Sequence, residues 1–132
     1  LIAGPAIVDI LAAVQAPYAL ATPVVECVEN ALLDEGFARS QRWAGEIIAE
    51  RDALMTEIAE LKFVKRVWPS DANFFLCEFE AASDVLDYCA AQGVLLRDFG
   101  KNLEDCVRIT VGSPLENQRL MDVLSEYAGA ES

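Results

Sequence analysis

The chain has 132 residues, 54% of them apolar, a formal net charge of −12 and no histidine. This is one domain's worth of chain with enough apolar content for a real core, so a disordered polymer is excluded. The acidity works against nucleic acid, whose phosphates it would repel, and without histidine there is no Ser-His-Asp or Cys-His chemistry and no histidine-based metal site.

The opening triplet Leu1-Ile2-Ala3 reads as a very short strand. Gly4-Pro5 then starts a helix over residues 5 to 15 that is apolar almost all round, a pattern of burial on several sides. Pro17 forces an extended segment, and Thr22-Pro23 opens a second helix by the cap-plus-proline signal, ended by Asp34-Glu35-Gly36. Residues 37 to 62 are the longest periodic stretch, with Trp43, Ile47, Leu54, Ile58 and Leu61 at helical spacing. Glu46 and Glu50 repel at i,i+4, and the charges of this helix read as a solvated face.

After Lys62 the period changes to two. Strands are expected at 63 to 68 and 73 to 79, the second with Phe75, Cys77 and Phe79 on one face. Ser83 should cap a short helix ending before Gly93, and Val94 to Arg97 should be a third strand. Cys106 to Gly112 is the fourth, with Val107, Ile109 and Val111 on one face and Arg108 on the other. Gly112 gives a sharp exit, and Ser113, Pro114 and Glu116 open a final helix through a capping box. The order is α-α-α-β-β-α-β-β-α. It predicts an α+β fold: a small, largely antiparallel sheet with helices on one face.

The cysteines at 27, 77, 89 and 106 are far apart and lie among apolar neighbours, as free buried thiols of a reducing compartment do; a cytoplasmic protein is expected. No run of about 18 apolar residues occurs, so no membrane span is expected. No glycine-rich phosphate cradle is present. The specific candidates are Arg97 and Arg108, each on a strand beside a turn. A guanidinium keeps its charge, and its planar fork suits a carboxylate. Two arginines converging on a cleft would fit a substrate with two anionic ends, with Asn73 either a third polar group at that edge or a plain turn asparagine. The commoner arrangement for such arginines is plain solvation or a local ion pair, for Arg97 with Asp98 or Glu104, and spacing alone leaves both open.

Three stretches carry a resemblance. Val94-Leu95-Leu96-Arg97-Asp98, then Cys106-Val107-Arg108-Ile109-Thr110-Val111-Gly112 and a helix with Glu116, Asn117 and Gln118, resemble the end of the histidinol-phosphate aminotransferase family. Residues 16 to 23, Ile47-Ile48-Ala49-Glu50-Arg51 and Asp71-Ala72-Asn73-Phe74-Phe75-Leu76 extend the match. The resemblance implies a fold-type I pyridoxal phosphate enzyme, with residues 1–33 as a remnant of the large domain and interdomain joint, and 34–132 as the small C-terminal domain. It implies that Arg108 binds a substrate α-carboxylate, that Arg97 helps hold a substrate phosphate, and that Tyr18 lies near the active site at a homodimer interface. It also implies that the Schiff-base lysine lies before residue 1. The chain alone should then bind no cofactor and not turn over, and its partners would be an amino-acid or amino-phosphate substrate and the missing large domain. The alternative is a catalytically inactive α+β domain that binds a small anion or a protein.

Overall fold

The computed structural model describes residues 4–15, 20–100 and 103–130. The expected strand at Leu1–Ala3, the extended Pro17 and the Tyr18 position lie outside the described residues. Residues 1–41 and 42–132 form two compact units. In the first, helices α1 (Pro5–Val14) and α2 (Thr22–Ala31) begin at prolines, whose missing N–H costs nothing in a first turn. Neither buries a single side chain, so the burial expected for α1 is not found among the described residues. Helix α3 (Asp34–Ala59) starts three residues earlier than its periodicity suggests. Asp34 and Glu35, expected to end the previous helix, instead sit in its first turn, where the helix dipole favours acids.

The second unit holds the sheet. Strands β1 (Val64–Val67), β2 (Phe74–Phe79), β3 (Arg97–Asp98) and β4 (Cys106–Thr110) form one antiparallel sheet in the order β1-β2-β4-β3. Helix α4 (Ala82–Ala91) joins β2 to β3, and α5 (Pro114–Ala130) follows β4. The α+β fold, an antiparallel sheet with packed helices, is as expected.

Alternation along the strands decides what is buried. Phe75, Cys77, Phe79, Val107 and Ile109 are each 1% exposed or less. With Leu54 and Ile58 of α3, Val85 and Cys89 of α4, and Leu120, Val123 and Leu124 of α5, they make one core. Phe63 and Tyr127 meet edge to face at 4.9 Å, at the end of that core. The alternate residues Phe74, Leu76, Arg108 and Thr110 belong to the other face, because Phe74 pairs with Thr110 and Leu76 with Arg108.

Four local expectations are corrected. Val94 to Leu96 is not strand, and β3 is only two residues long. Val94 N–H instead donates to Cys89 O at 2.8 Å, and Gly93 takes a positive φ of 78° that ends α4 in a tight turn. Ser83 lies inside α4 and does not cap it; Ala82 N–H donates to Asp105 Oδ1 at 3.2 Å. Cys27 is exposed, whereas Cys77, Cys89 and Cys106 are buried free thiols. The long helix is also not merely a solvated face, since its Arg51 is only 8% exposed.

Candidate functional site: an arginine-lined cleft beside the β3–β4 edge

Arg97 and Arg108 are brought together by strand pairing. They are direct partners in the β3–β4 register, so their side chains leave the same face of the sheet. Both line a cleft of about 650 Å³, together with Thr110, Glu116, Asn117 and Arg119. Among the described residues neither Arg97 nor Arg108 forms an ion pair, and the expected partners Asp98 and Glu104 do not hold Arg97. Asp98 instead accepts from Gly100 N–H at 2.7 Å.

Arg108 is the more constrained of the two. Its Nε is buried and donates to no described residue. Its guanidinium carbon lies 5.2 Å from the centre of the Phe74 ring, a cation–π arrangement. An aromatic face holds a guanidinium without using its N–H donors, which leaves the fork available. The sequence singled out Phe74 only as part of a motif. Its signal is the alternation that puts it across from Thr110, two pairs from Arg108 and on the same face.

Arg119 lines the same cleft but has structural work. Its Nη2 donates to Gln92 O at 3.2 Å, the C-cap of α4, where a cation complements the helix dipole. Glu116 closes the capping box: Ser113 N–H and Oγ donate to its Oε2 at 2.8 and 2.7 Å. Those hydrogen bonds hold its carboxyl below the usual range. The box also explains Gly112. A Cβ there would lie 2.9 Å from both Glu116 Cβ and Oε2, so glycine is required for space.

Asn73 does not line the cleft. Its carbonyl accepts Val111 N–H at 2.9 Å, one residue beyond β4, so it acts through its backbone. Among the described residues no lysine lines the cleft, and no group of three or more acidic, cysteine or histidine side chains could hold a metal. Lys65 lies on β1 with its Nζ 3.7 Å from Asp105 Oδ2. Among the described residues the cleft therefore offers no amine to tether a cofactor.

A four-stranded antiparallel sheet with helices packed on it matches the fold of known aminotransferases. Residues 1–124 match the aminotransferase class I and II family, and the chain belongs to it. That family is pyridoxal phosphate-dependent in general. Among curated relatives, histidinol-phosphate aminotransferase of Escherichia coli is 38% identical over 125 residues, 93% of this chain and 35% of the relative. The chain thus spans about a third of the curated relatives it matches. A crystal structure of a Burkholderia pseudomallei protein assigned as an aminotransferase superposes with a TM-score of 0.81 at 27% identity, covering 93% of this chain and 37% of that one. Histidinol-phosphate aminotransferase from Clostridium acetobutylicum gives 0.80 at 22% identity, over 95% of this chain and 38% of that one, a likeness of fold. Among the described residues no helix is long and apolar enough to cross a membrane.

Proposed function

We propose that this chain carries the substrate-recognition arginines of a histidinol-phosphate aminotransferase. The whole protein would move an amino group between histidinol phosphate and 2-oxoglutarate in histidine biosynthesis. Arg108 would bind the α-carboxylate of glutamate or 2-oxoglutarate through two parallel hydrogen bonds, and Arg97 would hold the second carboxylate of those acids or help hold the phosphate of histidinol phosphate, which has no carboxylate. Asn73, which does not line the cleft, would contribute at the strand edge by holding the end of β4 through its carbonyl. The observation that carries this reading is the pair itself: two cross-strand arginines with no carboxylate partner among the described residues, one of them with a buried, unmet Nε. A buried donor of that kind costs free energy until an anion meets it.

The cofactor, pyridoxal phosphate, would be held by residues outside this chain, in the remainder of the protein. A second copy in a homodimer, its joint near Tyr18, and the cytoplasm complete the reading. Left to its own residues, the cleft offers anion binding without an amine for chemistry, which favours a second reading of the isolated chain as an inactive anion-binding domain.

The test is Arg108→Lys in the full-length protein. Lysine keeps the charge and loses the fork. Losing one charge-assisted hydrogen bond costs about 1.5–3 kcal/mol, or one to two orders of magnitude in affinity for amino and keto acids. Arg97→Lys should weaken phosphate-bearing substrates more than those without phosphate. Unchanged affinities in Arg108→Lys would refute the carboxylate role.

A further inference from the structure

Only two charged or polar residues are buried among those described, Arg51 and Asn117, and both act at the end of the sheet where β2 begins and β4 ends. Arg51 reaches out from α3: Nε and Nη2 share Asp52 Oδ1, and Nη1 donates to Ala72 O at 3.4 Å, just ahead of β2. Asn117, 6% exposed, does more. Its Oδ1 accepts Gly112 N–H at 2.9 Å, its Nδ2 donates to Gly112 O at 3.2 Å, and the same Nδ2 donates to Glu50 Oε2 at 2.8 Å.

The two bonds to Gly112 have the pattern of a strand pairing. In an antiparallel strand, the N–H and C=O of one residue point to the same side and alternate from residue to residue. Val111 N–H points to β2, where Asn73 O accepts it, so Gly112 presents both its groups to the opposite side. That is the side of β3, which reaches only as far as Arg108. The strand that should continue the edge is missing there. The Asn117 side-chain amide takes its place, and Glu50 ties that amide to the long helix.

We propose that Asn117 and Glu50 are positioning residues for Arg108. They finish the edge of β4 that β3 leaves bare and fix the strand end against α3, so that Arg108 presents its fork at a set depth in the cleft. Gly112 and Asn117 line the arginine cleft, while Gly112 and Glu50 line a second hollow of about 530 Å³ behind it. The brace is the partition between the two. Without it the end of β4 can give way toward either side. This inference rests on the reading of Arg108 as the carboxylate-binding residue.

The experiment is a charge-swap cycle in the full-length protein, reading KM for the amino-acid substrate, kcat and thermal stability. Asn117→Asp keeps the acceptor for Gly112 N–H but sets a carboxylate against Glu50. KM should rise about tenfold, in line with the sensitivity of catalysis to small misplacements, while kcat at saturation changes less. Adding Glu50→Gln supplies a new donor to that aspartate but none to Gly112 O, so the double variant should recover part of the KM, a coupling between neighbours that additivity forbids. If Asn117→Asp does not fold, Glu50→Ala leaves the amide on Gly112 and removes only the tie to α3; KM should rise about threefold. Variants that lose thermal stability but keep wild-type KM would overturn the positioning role. Were KM insensitive to Arg108→Lys as well, the carboxylate reading would have failed; were only the brace variants silent, the brace alone would have failed.

Discussion

Arg97 and Arg108 stand opposite each other across a two-residue strand pairing, like charge against like charge. Such a pair is destabilising until something anionic lies between its members. Arg97→Gln should therefore stabilise the unliganded chain by about 0.2–1 kcal/mol. The gain should shrink as salt is added, because screening already relieves the wild type. Chemical denaturation at low and high ionic strength measures both. A loss of stability in Arg97→Gln at low salt would mean that a carboxylate already neutralises the pair.

Asp105 does three things from one unusual backbone position, at φ 58°. Its carbonyl accepts Phe79 N–H at 3.0 Å, its Oδ1 caps α4 at Ala82, and its Oδ2 faces Lys65. Asp105→Asn keeps a side-chain acceptor and tolerates the left-handed backbone, so it should be nearly neutral. Asp105→Ala loses the cap and pays the backbone strain, and should cost about 1–3 kcal/mol. Thermal denaturation of the two variants side by side separates these effects.

Cys77 gives a pH dependence whose sign is fixed. Burial, and after it the neighbouring Cys106 and Glu78, pushes its thiol from 9.0 up to about 12. The folded state holds the proton that the unfolded chain releases. Stability is therefore fully present below pH 9 and declines as pH rises from 9 towards 12, by up to about 1.4 kcal/mol per pH unit. Cys77→Val should flatten this slope, leaving what Cys89 and Cys106 contribute, whose thiols burial also raises. A thiol reagent at pH 8 should label one cysteine fast, Cys27, and the three buried ones only on unfolding.

Gly112→Ala tests the space at the strand exit. The new methyl meets Glu116 Cβ at 2.9 Å, so either the capping box opens or the strand end moves. Overpacking of this sort costs about 1–3 kcal/mol. Adding Glu116→Ala, which removes the flexible carboxylate but keeps Cβ, should relieve only part of it; full relief would mean the carboxylate alone sets the limit.

What the sequence discloses, and what it hides, follows from the distance over which each feature is decided. The core face of β4 was legible because alternation is local: Val107, Ile109 and Val111 are all buried. The capping box was legible for the same reason, its partners being three residues apart. The cap of α4 was not, because it comes from Asp105, 23 residues beyond the helix start, while Ser83 offered a nearer but wrong candidate. Val94 to Leu96 has strand composition, yet after the tight turn at Gly93 pairing begins only at Arg97. The helix spacing sets Glu50 against Glu46, but its partner is an asparagine 67 residues away. Arg51 looked solvated because nothing in the helix itself foretells that the turn before β2 lies over it. For the candidate site, the two arginines were visible as anomalies, but Phe74 under Arg108 and Asn117 beside it were visible only as members of a motif.

The unequal support of the two arginines has a consequence for how such a site can change over generations. Arg108 sits inside a strand paired on both sides, with an aromatic ring beneath it, so an insertion or deletion near it would shift the register of the whole sheet. Arg97 hangs from a two-residue strand between an irregular approach and a loop. Length changes in segments of that kind are tolerated far better than in paired strands. Descendants of one ancestral cleft could thus lengthen, shorten or reaim the Arg97 arm while the Arg108 end stays as it was. On the proposed roles, one end of the substrate would be held constant and the other left free to diversify.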